Sequence, residues 1–135
     1  MEFVLGQRAT VSKTITAADV DTFAGLSGDF NPLHVDAAFA ARTRFGERIA
    51  HGMLTAGLIS AVLGMQLPGP GGIYLSQTLR FLKPVRIGEA ITAAAEVTAY
   101  DPQRRRLTLH TTCTNQRGEM VLDGEAVLLV EPPGG

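Results

Sequence analysis

Apolar residues change their rhythm once along this chain, near residue 72, from helical spacing to strict alternation. Residues 3–14 alternate loosely and predict an opening strand or extended arm. A helix is then predicted from Thr16. With Thr16 as N-cap, Asp19 falls at the third helical position, an acid near the helix's positive end. Val20, Phe23 and Ala24 follow at helical spacing, with Gly25 and Gly28 as terminators. Asp36 can cap a second short helix over residues 37–42, with Phe39 packing inward. A third helix is predicted over residues 52–65. Met53, Leu54, Ala56, Leu58, Ile59, Val62, Leu63 and Met65 take up most of its circumference, so burial on nearly all sides is expected. The run Pro68-Gly69-Pro70-Gly71-Gly72 ends it as a turn. It lacks the spacing and the Lys-Ser/Thr ending of a phosphate loop.

From Ile73 the period is two. Ile73, Leu75, Leu79 and Phe81 share one face, and Tyr74, Ser76, Thr78 and Arg80 the other. Ile91, Ala93, Ala95, Val97 and Ala99 repeat the pattern, as do Leu107, Leu109 and Cys113. Residues 120–130 end in a mostly apolar run that fits a more buried strand. Asp101-Pro102 and Arg117-Gly118 supply turns. Helices followed by consecutive strands predict an α+β protein with an antiparallel sheet. A sheet with one apolar face and a helix apolar almost all round fit one arrangement, in which the sheet curls around the helix. There is no internal repeat and no low-complexity tract beyond the Pro132-Pro133-Gly134-Gly135 tail.

Composition narrows the class. The chain has 135 residues, which predicts one domain with a core that needs no staples. Hydrophobic content of 45% with a net charge of −1 excludes disorder and offers no basic field for nucleic acid. Cys113 is the only cysteine, so an internal disulfide is impossible. The start of the chain shows no basic region followed by an apolar run, so no signal peptide is expected. The longest apolar stretch, residues 49–65, is short for a membrane span and contains His51, Thr55 and Ser60. A soluble, cytoplasmic protein without membrane partners is expected.

The candidate chemistry lies in Gly28-Asp29-Phe30-Asn31-Pro32-Leu33-His34-Val35-Asp36, which puts an acid and an imidazole five residues apart outside regular helix. Asp and His are well suited to proton exchange near neutral pH, and Pro32 stiffens the segment and biases Asn31 toward extended backbone. On residue types alone, two readings of Asp29 and His34 stay open: a catalytic pair, or a turn acid and a half-buried histidine. Asn31 and Asp36 read as a residue bonding local backbone and a helix cap. Asp29, His34, Asp36 and His51 could in principle hold a metal, but their order matches no specific ligand spacing, so no metal is expected. His51 reads as a helix-start residue. Gly52 lets a substrate oxygen approach the N–H groups at the helix start. The Ser60 hydroxyl either bonds back to the preceding turn or faces a polar pocket. His110 belongs on the solvent face and Cys113 in the core. Arg104, Arg105 and Arg106 read as a solvated loop, with phosphate contact as the alternative.

Taken together, the blocks Ser27-Gly28-Asp29-Phe30-Asn31-Pro32-Leu33-His34-Val35-Asp36 and Ile49-Ala50-His51-Gly52-Met53-Leu54-Thr55, then Ser60, resemble the MaoC-like, (R)-specific enoyl-CoA hydratase family. So does residues 73–85, with Arg80, Lys83 and Pro84, followed by Gly88-Glu89. The likeness runs over nearly the whole chain, and in length and motif order is nearest the short, single-domain hydratases that feed polyhydroxyalkanoate synthesis. It implies a hot-dog fold over residues 1–135, a curved antiparallel sheet around one long helix. It also implies a homodimer or dimer of dimers, and no metal or redox cofactor, the CoA thioester being substrate. By the resemblance Asp29 and His34 are the catalytic pair, Ser60 supports them with Asn31 nearby, and the Gly52 amide holds the thioester oxygen. The expected reaction is reversible syn addition of water to a trans-2-enoyl-CoA, giving a (R)-3-hydroxyacyl-CoA. The alternatives are a hot-dog acyl-CoA thioesterase and a non-catalytic acyl-CoA-binding module. CoA phosphates need a local cluster of positive charge in so neutral a chain, and Arg80, Lys83 and Arg86 are the candidates.

Overall fold

A computed structural model of the chain describes residues 2–131, and the tail at 132–135 lies outside them. In chain order the elements are β1 (Arg8–Thr14), α1 (Ala17–Ser27), α2 (Pro32–Val35), α3 (Ala37–Ala41), α4 (Gly52–Met65), β2 (Gly72–Gln77), β3 (Arg80–Phe81), β4 (Ala90–Asp101), β5 (Arg106–Thr114) and β6 (Met120–Val130). All strand pairs are antiparallel, in the order β1-β4-β5-β6-β2, with β3 also on β6. This is the hot-dog arrangement. Among the described residues, no helix is long and apolar enough to cross a membrane.

Local chemistry explains the helix ends. The Thr16 hydroxyl accepts from the Asp19 N–H at 3.1 Å while the Asp19 carboxylate accepts from the Thr16 N–H at 2.9 Å, a reciprocal cap. Gly28, at φ +83, ends α1 in the left-handed region, where a residue with a Cβ is strained. The Asp36 carboxylate caps α3 by accepting from the Ala38 and Phe39 N–H groups. The expectation of no helix between residues 28 and 36 needs correcting. Pro32 to Val35 make one helical turn, because Pro32 sits at its first position, where a missing N–H costs nothing, and Asn31 caps it. Phe39 also departs from expectation. It faces outward beneath the Arg42 guanidinium, and Ala40 is the residue α3 buries.

The core is built where α4 meets the sheet. Ile59, Val62 and Leu63 pack with Ile91, Ala93, Ala95 and Val97 of β4, Leu107, Leu109 and Cys113 of β5, and Leu122 of β6. Each large aliphatic side chain fully buried there contributes roughly 1.5–3 kcal/mol. Alternation holds along β4 as far as Val97. A bulge between Val97 and Ala99 then shifts the register, so Ala99 turns out to solvent and Tyr100 packs against the core edge. Burial of α4 on nearly all sides is not found. One curled sheet reaches only one side of a straight helix, and Met53, Gly57, Ser60 and Gly64 form an open face. Ile73, Leu75 and Phe81 are likewise exposed rather than inward, because β2 and β3 form a broken sheet edge. The break falls at Thr78, whose carbonyl crosses over Gly124 so closely that a Cβ there would lie 1.9 Å from it.

Candidate active site

Asp29 and His34 leave the C-terminal end of α1 on a short loop and the α2 turn. The His34 ring is fixed by its Nδ1, 2.8 Å from the Ile49 carbonyl. A carbonyl only accepts, so Nδ1 carries a proton, and in the neutral ring Nε2 is bare to take one. Ile49 is anchored in turn, by a bridge to Arg86, and the neighbouring Ala50 N–H donates to the Val85 carbonyl at 2.7 Å. Arg48 braces the same turn from the other side. Its Nε donates to the His34 carbonyl at 2.5 Å and its guanidinium pairs with Asp21 of α1 at 2.5 Å.

The Asp29 carboxylate accepts from the Asn31 N–H at 3.1 Å, and the Asn31 side chain accepts from the Leu33 N–H at 3.1 Å. Asn31 therefore shapes the loop, as its local bonding implied. One ligand-type atom each of Asp29, His34 and His51 lies within 4.8 Å of the others. The acid and the imidazole are thus brought together, with a second imidazole beside them. This trio could in principle hold a cation. Each histidine commits one nitrogen to a backbone carbonyl, which leaves one nitrogen on each ring, and the rings lie 4.0 Å apart, tilted by 31°. Asp36 is spent on the α3 cap.

Gly52 is the first residue of α4, so its N–H has no acceptor within the helix and lies at the positive end of the dipole. His34 and Gly52 line one cavity of about 520 Å³, with Thr55, Phe81, Leu82 and Val121 among its other walls. Lys83 and Arg44 also line it. Ser60 is elsewhere. It faces a second cavity of about 420 Å³ between α4 and β2, and Met53 is the wall common to both. A single chain therefore does not bring Ser60 to the Asp29–His34 pair.

Of the three cations expected at a phosphate site, only Lys83 lines the reaction cavity. Arg80 lies on β3 opposite Asp123, and Arg86 turns toward Phe45 and Glu47. Lys83 pairs with Glu119, whose carboxyl is held down at about 2, first by Lys83 and then by Asn115 and Arg117. Exposed ion pairs are weak, so Lys83 is free to exchange partners. Arg104, Arg105 and Arg106 sit at the β4–β5 hairpin and do not line the cavity. His110 is on the outer face, bonded to Asp123 at 2.6 Å. Burial pushes the Cys113 thiol up to about 12.

The model of a MaoC-like domain matches residues 5–118. The chain belongs to the MaoC-like family. It is 52% identical over 129 residues to an (R)-specific enoyl-CoA hydratase of Rhodospirillum rubrum, covering 96% of this chain and 89% of the relative. It is 53% identical over 126 residues to a 3-hydroxybutyryl-CoA dehydratase of Methylorubrum extorquens, covering 93% of this chain and 80% of that one. A solved (R)-hydratase of A. caviae involved in PHA biosynthesis superposes with a TM-score of 0.93 at 50% identity, covering 96% of this chain and 98% of that structure.

Three residues of this MaoC-like site were not singled out by sequence as functional. Arg44 reaches the cavity from the loop after α3, stacked on Phe45 at 4.8 Å. Nothing in its neighbours sets it apart from Arg42. Arg48 acts through two partners distant in sequence. His51 looked like an ordinary helix-start residue, and only the fold shows what its ring touches.

Proposed function

We propose that this chain catalyses reversible hydration of trans-2-enoyl-CoA to (R)-3-hydroxyacyl-CoA. One observation carries the reading: an imidazole and a helix-start glycine line a single largely apolar cavity, and the Asp29 carboxylate lies within 4.8 Å of that imidazole.

The thioester carbonyl sits at the Gly52 N–H. As water adds at C3, negative charge grows on that oxygen. A donor waiting there lowers the barrier by roughly 3–4 kcal/mol, comparable with one well-placed proton transfer. The Asp29–His34 pair holds the attacking water. One O–H bond of the water breaks, its proton passes to the pair, and the C3–O bond forms. A proton from the pair then forms the C2–H bond, leaving the pair as it began. Because both transfers use the one Asp29–His34 pair, oxygen and proton arrive on the same face of the double bond and addition is syn. No electrons leave the substrate, so the scheme draws on no redox cofactor, and it draws on no metal.

The CoA phosphates lie at the cavity mouth against Lys83 and Arg44, where charge-assisted contacts are worth most. The working unit is a homodimer, or a dimer of such dimers. The open face of α4, with exposed Met53, and the β2 edge, with exposed Ile73, Tyr74 and Leu75, form a contiguous apolar surface that a second copy covers. Ser60 lies on that surface, so its supporting role belongs to the assembled dimer. A stable monomer in sedimentation at micromolar concentration would sink the dimer. Loss of the conjugated enoyl absorbance of crotonyl-CoA without release of free thiol tests the reaction, since thiol release would mark a thioesterase instead.

A further inference from the structure

We propose that His51 is the positioning residue of this site, setting the place of Asp29 and the plane of the His34 ring through one tautomer-locked imidazole. The inference rests on the hydratase reading above.

His51 is almost wholly buried, with only 2% of its surface exposed. Its Nε2 lies 2.9 Å from the Asp29 carbonyl oxygen, 22 residues away in sequence. The partner can only accept, so Nε2 must carry a proton, and in the neutral ring Nδ1, buried with no hydrogen-bond partner, is bare. The remaining bonds of the 28–31 loop run to near neighbours. Gly28 donates to the Ala24 carbonyl, Asp29 to the Ser27 hydroxyl and Asn31 to the Asp29 side chain. Among the described residues, the His51 bond alone ties that exposed loop to a distant part of the chain.

The ring is also clamped. The Phe23 ring lies 4.8 Å from it, and His34 lies 4.0 Å away, tilted by 31°. Buried and packed against both rings, His51 forms a wall for His34. The His51 backbone caps α4, its carbonyl accepting from the Leu54 and Thr55 N–H groups, which places the Gly52 N–H next along. One residue therefore sets the relative positions of the acid, the imidazole and the oxygen-binding amide. Small displacements of such groups cost large factors in rate, while ground-state binding hardly changes.

Two substitutions separate the contributions. His51→Phe keeps the stacked ring and loses the donor. His51→Gln places an amide N–H close to where Nε2 was and loses the ring. Enoyl-CoA hydration by the wild-type chain is measured first, because its absence would overturn the hydratase reading and not this inference. Given that activity, His51→Phe should lower kcat at least tenfold with KM within about twofold, and His51→Gln should recover part of that loss, the missing ring accounting for the rest. A merely structural role would instead lower the unfolding temperature and leave kcat per folded site intact. Full kcat in His51→Phe, or equal impairment of both variants, would overturn the proposal. If neither variant folds, nitrogen-15 spectra of the wild-type histidines decide it. His51 must appear as the Nε2–H tautomer, and an Nδ1–H tautomer would overturn the proposal.

Discussion

The ring of Phe81 covers Gly52 so closely that a Cβ on Gly52 would fall 2.6 Å from the Phe81 Cε1. Glycine at this position lets the ring lie down over the helix start, beside the N–H proposed to hold the thioester oxygen. Gly52→Ala must push Phe81 aside. It should reduce kcat/KM by at least about tenfold, within the range seen when an oxyanion donor is disturbed. Adding Phe81→Ala to Gly52→Ala should restore part of that loss by removing the clash. Near wild-type activity in Gly52→Ala would show that the amide is not the oxygen site.

Asp29→Asn and His34→Ala should each leave a folded chain with kcat at least about a hundredfold lower, as expected when an acid/base group is lost. The Asp29 side chain is exposed and its only bond is to its own loop, so Asp29→Asn has little reason to destabilise the fold. Steady-state rates beside circular dichroism spectra check both points. Wild-type turnover in either variant would contradict the assigned pair.

The cations divide cleanly. Lys83→Ala and Arg44→Ala should raise KM for an enoyl-CoA with little change in kcat, and the effect should shrink at high salt. Arg80→Ala should leave KM unchanged, because Arg80 faces Asp123 on the broken sheet edge rather than the cavity. Initial rates at low and high ionic strength test all three. A KM that responds to Arg80 and not to Lys83 would relocate the CoA site.

Much of this was legible in sequence. The Thr16–Asp19 cap, the Asp36 cap, the Pro68 to Gly72 turn and the alternation of Ile91, Ala93, Ala95 and Val97 are local signals, and they hold. Asp29 and His34 also lie close, within 4.8 Å, since a stiff turn keeps them near. What failed depends on distant partners. The exposure of Ile73, Leu75 and Met53 follows from a sheet edge and a helix face that one chain does not cover. Ala99 points outward because of a one-residue bulge, which periodicity cannot register. Ser60 faces the second cavity, and His51 shows its role only once Phe23, Asp29 and His34 surround it.

Cys113 gives a pH dependence with a definite sign. Its thiol ionises near 9.0 in an ordinary setting and is pushed up to about 12 by burial in the folded chain. Below pH 9 the thiol is protonated in both states and stability is unaffected. Between about 9 and 12 the unfolded chain releases that proton while the folded chain holds it, so stability falls as pH rises. Cys113→Ala should be less stable overall, because it leaves a cavity, yet show a shallower decline above pH 9. Urea unfolding from pH 8 upward, compared between the two chains, checks this. The native thiol should also resist labelling until the chain unfolds.

The most direct test of the catalytic account is the stereochemistry of hydration. Wild-type protein with crotonyl-CoA should lose the enoyl absorbance, release no free thiol and yield 3-hydroxybutyryl-CoA of the (R) configuration alone. An (S) or racemic product, or thiol release in place of hydration, would contradict the assignment of Asp29, His34 and Gly52.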